Sequence, residues 1–279
     1  MTTTSMCHPS CAVEDLNLLA RTRQTGRGRT APQPGRQSNP DTGGVSVRIR
    51  RVTTTRKGGV SKPPFDSFNL GDHVGDDPAS VAANRARLAA TIGMPTERVV
   101  WMNQVHGDRV EVVDAPRDKA FDDTDALVTK VPGLALAVLT ADCVPVLMAD
   151  ARAGVTAAVH AGRVGAQRGI VARTVEAMQA LGAQPGDISA FLGPAASGRN
   201  YEVPAAMADE VEAALPGSRT TSAAGTAALD LRAGIARQLG DLGVKSIDVD
   251  PRCTVADPTL FSHRRGAPTG RLASLVWME

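Results

Sequence analysis

Five histidines occur in the chain: His8, His73, His106, His160 and His263. Two of them stand at the ends of expected strands. His106 follows Trp101–Val105, and His160 follows Val155–Val159 and precedes Ala161-Gly162. Cys143 lies between two further runs, in Leu139-Thr140-Ala141-Asp142-Cys143-Val144-Pro145-Val146. Strand ends hold side chains rigidly while leaving one side open to a ligand. Two imidazoles and one thiolate are a zinc set of catalytic sites, with the fourth position left to water or substrate. Such a metal lowers the pKa of bound water to about 7 and makes a nucleophile at neutral pH. Gaps of 37 and 17 residues separate the three, so only the fold can bring them together.

The same residues admit other readings. A cysteine in an apolar run is commonly a small core residue. With a histidine as base and Asp142 to orient it, Cys143 becomes the nucleophile of a cysteine hydrolase. Asp142 is the acid/base candidate by position, or a cap for local backbone groups. Cys7, His8 and Cys11 form another cluster near the N-terminus. No second ligand pair follows them at zinc-finger spacing, so they read as incidental groups in a tail.

The elements that must position these residues begin near Val45. Val45–Arg50 alternates apolar and polar residues, as a half-buried strand does. Asp77-Pro78 opens a helix that runs to Ile92 and stops at Gly93. Val99–Val105 and Arg109–Val113 read as two strands of a hairpin turning at His106-Gly107-Asp108. Leu134–Thr140, Val144–Ala149 and Val155–Val159 read as buried strands. Gly165–Leu181 has helical spacing and ends at Gly182. Ile188–Leu192 is a strand, Pro204–Leu215 and Leu229–Leu242 are helical, and Ile247–Val249 and Leu272–Trp277 are the last strands. The mixture lacks strict βαβ alternation. It predicts an α+β fold: a single compact domain, residues 46–279, of mixed β-sheets packed against helices. Residues 1–45, rich in Thr, Arg, Gln, Gly and Pro, read as a disordered tail.

Composition narrows the function. The chain has 279 residues, 42% hydrophobic and 22% charged, with a net charge of +2. Residues 1–62 hold 11 Lys/Arg against 3 Asp/Glu, and the rest 20 against 26, so the body is mildly acidic. Of the excess, 6 basic residues and no acid fall in 46–62, around Arg56 and a Gly-rich turn. Only 5 Phe, 2 Trp and 1 Tyr occur, too few for a base-stacking surface. Nucleic acid is therefore not an expected partner. No apolar run of about 18 residues marks a membrane span. Four scattered cysteines and no signal-peptide pattern suggest a reduced, cytoplasmic protein.

Asn103-Gln104-Val105-His106-Gly107, Ala141-Asp142-Cys143 with its flanks, and Ala158-Val159-His160-Ala161-Gly162 resemble three signature motifs of the YfiH family. That family was first described as multicopper polyphenol oxidases and later as purine nucleoside phosphorylases. Further matches are Arg56–Ser61, Ser67–Gly71, His73–Asp77, Gly193-Pro194 with Tyr201-Glu202-Val203, and Cys253-Thr254 with Phe261–Arg265 and Thr269-Gly270-Arg271. They run in the family's order from about Val47 to the C-terminus.

The resemblance implies zinc held by His106, Cys143 and His160, with copper as the alternative ion. It implies phosphorolysis of adenosine, inosine and methylthioadenosine, and deamination of adenosine, so the partners are a purine nucleoside and phosphate. A monomer or a homodimer fits. Arginines suit phosphate because the guanidinium fork binds oxyanions bidentately. Arg56 and Arg264 are the candidates, with Arg265 and Arg271 nearby. Asn69 is a candidate for the ribose or for orienting the metal's water, or else an Asx-turn residue. Two departures stand out. Many relatives continue the His-Ala-Gly motif with Trp-Arg-Gly, where this chain has Arg163-Val164-Gly165, leaving Arg163 or Arg168 to substitute. Many carry cysteines before Tyr-Glu-Val, where this chain has Arg199-Asn200, and fewer soft ligands argue against a copper cluster. Three alternatives share the same trio: a laccase-like polyphenol oxidase, an amidase editing peptidoglycan precursors, and a non-catalytic, zinc-stabilised interaction protein.

Overall fold

A computed structural model describes residues 47–279 and the backbone of Leu19 and Ala20. The remainder of the expected tail, with Cys7, His8 and Cys11, lies outside the described residues. In chain order the elements are β1 (Leu19–Ala20), β2 (Ile49–Thr53), α1 (Pro78–Thr91), β3 (Val99–Val100), β4 (Val110–Val113), β5 (Ala126–Thr129), β6 (Ala135–Thr140), β7 (Val144–Asp150) and β8 (Val155–Ala161). There follow α2 (Arg163–Gln167), α3 (Ile170–Ala180), β9 (Ser189–Leu192), α4 (Ala205–Ala214), β10 (Arg219–Thr221), β11 (Ala227–Leu229), α5 (Leu231–Asp241), β12 (Ser246–Val249) and β13 (Leu272–Met278).

Two mixed sheets carry the fold. One has the order β1-β2-β13-β6-β3, the other β12-β9-β7-β8-β5-β4, and β10-β11 form a separate two-stranded ribbon. The alternation of side chains along each strand explains how they stack. In β6, Leu136 and Val138 share a cluster with Leu127, Leu147, Ala158 and Phe191 of the six-stranded sheet. Ala135, Ala137 and Leu139 face the other way, against Leu88 and Ala89 of α1. In β7, Leu147 points to the inter-sheet layer, whereas Val146 and Met148 join Val171, Val175, Val211 and Ile235 of α3, α4 and α5. The layers therefore run helix, sheet, sheet, helix. Central strands are covered on both faces, which is why they read as unbroken apolar runs.

Local chemistry sets the boundaries. The Asp77 side chain accepts from the backbone N–H of Ala79 and Ser80, and Pro78 takes the first helical position of α1. The expected single helix 165–181 is instead two. Arg168 ends α2, and Gly169, at φ 82°, turns the chain into α3.

A second expectation also fails. Residues 99–113 do not form a hairpin. β3 pairs parallel with β6 in one sheet, and β4 pairs parallel with β5 in the other. Between them the chain crosses from sheet to sheet, and Asp125, not a partner strand, receives the backbone N–H groups of the crossing.

Candidate active site

The crossing places His106 where the two other candidates already stand. His160 is near the end of β8, and Cys143 is in the turn that carries the chain from β6, in one sheet, to β7, in the other. Their ligand atoms lie within 4.8 Å of one another. Cys143 Sγ is 3.7 Å from His106 Nε2, and the two imidazoles meet edge to face with centroids 4.7 Å apart. His160 is buried, Cys143 partly so, and His106 exposed. Two residues here take positive φ without being glycine: His106 at 59° and Asp142 at 100°. Such backbone persists where its surroundings enforce it, commonly at functional sites.

Asp125 does the enforcing. It is fully buried. Its Oδ1 lies 2.8 Å from His160 Nδ1 and accepts from the N–H of His106 at 3.0 Å. Its Oδ2 accepts from the N–H of Gly107 at 2.7 Å and of Val105 at 3.2 Å. One carboxylate thus orients two of the three candidate ligands and leaves His160 Nε2 facing the trio, as when a metal-bound histidine donates its other ring N–H to a carboxylate. Burial alone raises the Asp125 carboxyl, but His160 and the backbone donors outweigh it and hold the group below its ordinary value. Sequence reading missed Asp125. Its only signal was an acid placed directly before the apolar run Ala126–Thr129.

The trio polarises itself. Burial works against the Cys143 thiolate, yet the charge of His160 and hydrogen bonds to both histidines bring the thiol down to about 6. Burial likewise works against the His160 imidazolium, yet Cys143 and Asp125 push it up to about 9. Gly162 permits the close approach: a Cβ there would stand 2.7 Å from His106 Cδ2 and 3.2 Å from Cys143 Sγ. The donor set, its span and the oriented His160 all fit a zinc ion.

A cavity of about 310 Å³ opens over the trio, a volume suited to a small organic ligand. Asp142, Arg163, Tyr201, Arg264 and Arg271 line it with His73, His263 and Gln104. The Gln104 amide donates to the Leu139 carbonyl and accepts from its N–H, fixing the cavity wall to β6. Asp142 sits at the cavity, but its carboxylate accepts from Thr254 Oγ1 at 2.6 Å and from the Arg264 N–H at 2.7 Å. It ties two loops together.

Arg56 and Asn69, the other expected substrate contacts, are not among the residues that line the cavity. Arg56 pairs with Asp66, at 3.1 Å, and lies over the Phe261 ring. Asn69 is fully buried. Its amide donates to Gly71 O and Asp76, and its oxygen accepts from the N–H of Gly71 and Arg271. It is the Asx-turn residue of the alternative reading, and it positions the chain that bears Arg271. Arg265 is likewise committed, to the carbonyls of Thr254, Asp257 and Leu260.

Known proteins resemble this chain over nearly its whole length. A purine nucleoside phosphorylase of Mycobacterium tuberculosis (strain ATCC 25618 / H37Rv) is 78% identical over 262 residues, covering 94% of this chain and 100% of the relative. A purine nucleoside phosphorylase of Corynebacterium glutamicum is 60% identical over 232 residues, covering 82% and 94%. Among solved structures, the hypothetical protein YfiH of Bacillus licheniformis superposes with a TM-score of 0.77 at 33% identity, covering 83% of this chain and 93% of that one. YlmD of Geobacillus stearothermophilus gives 0.77 at 34% identity, covering 84% and 92%. Residues 50–279 match the family described as multi-copper polyphenol oxidoreductase laccase. The motifs, the fold and these likenesses agree, and the chain belongs to that family, which includes the YfiH proteins.

Proposed function

We propose that the chain is a zinc-dependent purine nucleoside phosphorylase that cleaves adenosine, inosine and methylthioadenosine with phosphate, with deamination of adenosine as a side activity. The observation that carries this reading is the His106–Cys143–His160 trio at the base of an arginine-lined cavity, in a chain 78% identical to relatives named purine nucleoside phosphorylase.

His106, Cys143 and His160 would hold the metal, which supplies Lewis acidity when bound. In phosphorolysis a phosphate oxygen forms a bond to C1′ of the ribose as the bond from C1′ to purine N9 breaks. The electron pair leaves with the base, which takes up a proton, and ribose 1-phosphate is the second product. The chain's own contribution is to bind, to exclude water and to place charge. The cavity arginines offset the negative charge of phosphate, and Gln104 and Tyr201 shape the wall. Asp142, the expected acid/base group, is better read as the tie that fixes the Cys143 turn. In the side reaction water adds at C6 of adenosine and ammonia leaves, which needs no phosphate.

A copper-dependent phenol oxidase is the second reading, favoured by the family's description. Against it, the described residues gather one His–Cys–His cluster, where a multicopper enzyme needs several sites. An open cavity beside three ligands also differs from the closed, four-coordinate site of a purely structural zinc.

The test is incubation of the zinc-loaded protein with adenosine or inosine, with and without phosphate, beside Cys143→Ala. Ribose 1-phosphate that depends on phosphate and on Cys143 is the expected result. Oxygen consumption on phenols by a copper-loaded form, with no nucleoside cleaved by the zinc form, overturns it.

A further inference from the structure

Departure of a purine leaves an electron pair on the base, and a proton delivered there in the transition state speeds the step by about 100- to 10,000-fold. Few groups in the cavity wall are able to give one. Arginines keep their protons. His106, Cys143 and His160 are the candidate metal ligands. The Asp142 oxygens are engaged by Thr254 Oγ1 and the Arg264 N–H. Burial, with the charge of Cys143, raises the Tyr201 phenol above its ordinary value and makes it too weak an acid for neutral pH. His73 and His263 remain, and imidazole is the side chain that gives up and regains a proton near pH 7.

One of the two is backed by a carboxylate. His73 Nδ1 lies 3.6 Å from Asp72 Oδ1, and such contacts are commonly long before substrate binds. The other Asp72 oxygen pairs with Arg85 at 3.2 Å. Arg85 is fixed in turn: its Nε donates to the Leu70 carbonyl at 2.9 Å, and its guanidinium lies over the Trp101 ring, 4.3 Å from the centroid. Pairing with His73, opposed by burial and aided by the Arg85 charge, holds the Asp72 carboxyl at about 2, so the group is an anion at neutral pH. Among the described residues no carboxylate pairs with His263. The loop that carries His73 is also set from its other side. Asn69 accepts from the N–H of Gly71 and of Arg271, and Gly71 lets the two segments close: a Cβ there would stand 2.6 Å from Arg271 Cγ. A carboxylate at Nδ1 fixes the tautomer and orientation of an imidazole and leaves Nε2 to the cavity, the arrangement of acid–base histidines.

We infer that His73, oriented by Asp72, is the general acid that protonates the departing purine at N7. This role rests on the phosphorylase reading. A phosphate oxygen bonds to C1′ as the bond from C1′ to N9 breaks, the electron pair passes into the base, and the proton on His73 Nε2 goes to N7. The neutral purine and ribose 1-phosphate leave. His73, 49% exposed at its side chain, regains its proton from solvent. Asp72 and Arg85 touch no reacting atom and are positioning residues.

The test compares two nucleosides in the zinc-loaded full chain with phosphate, reading ribose 1-phosphate. Inosine needs a proton at N7. 7-Methylinosine does not, because its alkylated base leaves already neutral. His73→Gln is expected to lower kcat on inosine by about 100- to 10,000-fold with little change in KM, and to cleave 7-methylinosine nearly as fast as wild type does. Asp72→Asn is expected to show a smaller loss with the same selectivity. Zinc affinity, from chelator competition, and melting temperature should match wild type in His73→Gln. Inosine cleavage that His73→Gln retains, a loss equal for both nucleosides, or weakened zinc binding overturns the role and leaves the phosphorylase reading standing. A wild type that cleaves neither nucleoside refutes that reading and the role with it.

Discussion

Replacing Asp125 by asparagine keeps the shape of the side chain and removes its charge. The native carboxylate has four donors on two oxygens: His160 Nδ1 and the His106 N–H on one, the Gly107 and Val105 N–H groups on the other. Asparagine keeps one acceptor and puts an N–H₂ in place of the second. Either orientation sets a donor against the donors that the lost oxygen served: the part-buried Gly107 and Val105 N–H groups, or the part-buried His106 N–H together with His160 Nδ1 in its protonated tautomer. Each such loss costs about 1–3 kcal/mol, so the variant is expected to lose roughly 2–6 kcal/mol. For a domain of this size that lowers the melting temperature by on the order of 5–20 °C.

The metal should feel it as well. Removing the partner that orients a metal-bound histidine costs about 10–100-fold in affinity. Zinc affinity is read by competition with a chromophoric chelator, and the His160 tautomer by ¹⁵N shifts. There is also a pH signature. Because the folded Asp125 carboxyl is held below its usual 3.8, the stability it contributes is present above that value and is lost as pH falls through the lower folded one. The asparagine variant should lose less stability than wild type over that acid range. Unchanged melting temperature together with unchanged zinc affinity would refute the assignment.

Three further perturbations separate site from scaffold. Gly162→Ala puts a Cβ 2.7 Å from His106 Cδ2, and His106 is exposed enough to swing away; chelator competition should show weakened zinc binding with little change in melting temperature. Asn84→Ala removes donors to Ser61, Ser67 and Asn69 and the acceptor for Val60 N–H. It should cost about 2–4 kcal/mol in denaturant unfolding, with zinc affinity intact. In the metal-free protein, iodoacetamide should alkylate Cys143 with a pH midpoint near 6, and zinc should abolish the reaction; a midpoint near 9 would contradict the coupling to His160.

Much of the arrangement was legible in the chain because its signals were local. Asp77-Pro78 and Gly93 bounded α1 through capping chemistry. The runs that became β6, β7 and β8 announced themselves by apolar content, and two of the three candidate ligands, Cys143 and His160, by standing at or beside their ends. What was illegible was non-local. A strand buried on both faces shows no face, so nothing told β6 to join one sheet and β7 the other. The 99–113 segment looked like a hairpin because both halves are apolar and the middle is polar. The missing information was that Asp125, about twenty positions on, supplies the crossing with its hydrogen-bond partner. Asn69 and Arg56 stand in turns near glycine, a context shared by ligand contacts and loop ties, and in the structure their side chains fasten loops.

The chain passes between its two sheets at the His106 segment and again at the Cys143 turn, and His160 closes a strand of the second sheet. A metal bound to all three would be a rivet through the seam. Ligand binding stabilises only the state that binds, in proportion to the logarithm of free ligand over its dissociation constant. Here the binding state is the one with the sheets in register. Opening of the seam and escape of the ion then become a single event. Amide hydrogens on both sides of it, in β6 and β13 as much as in β7 and β8, would exchange at a common rate set by the concentration of free zinc.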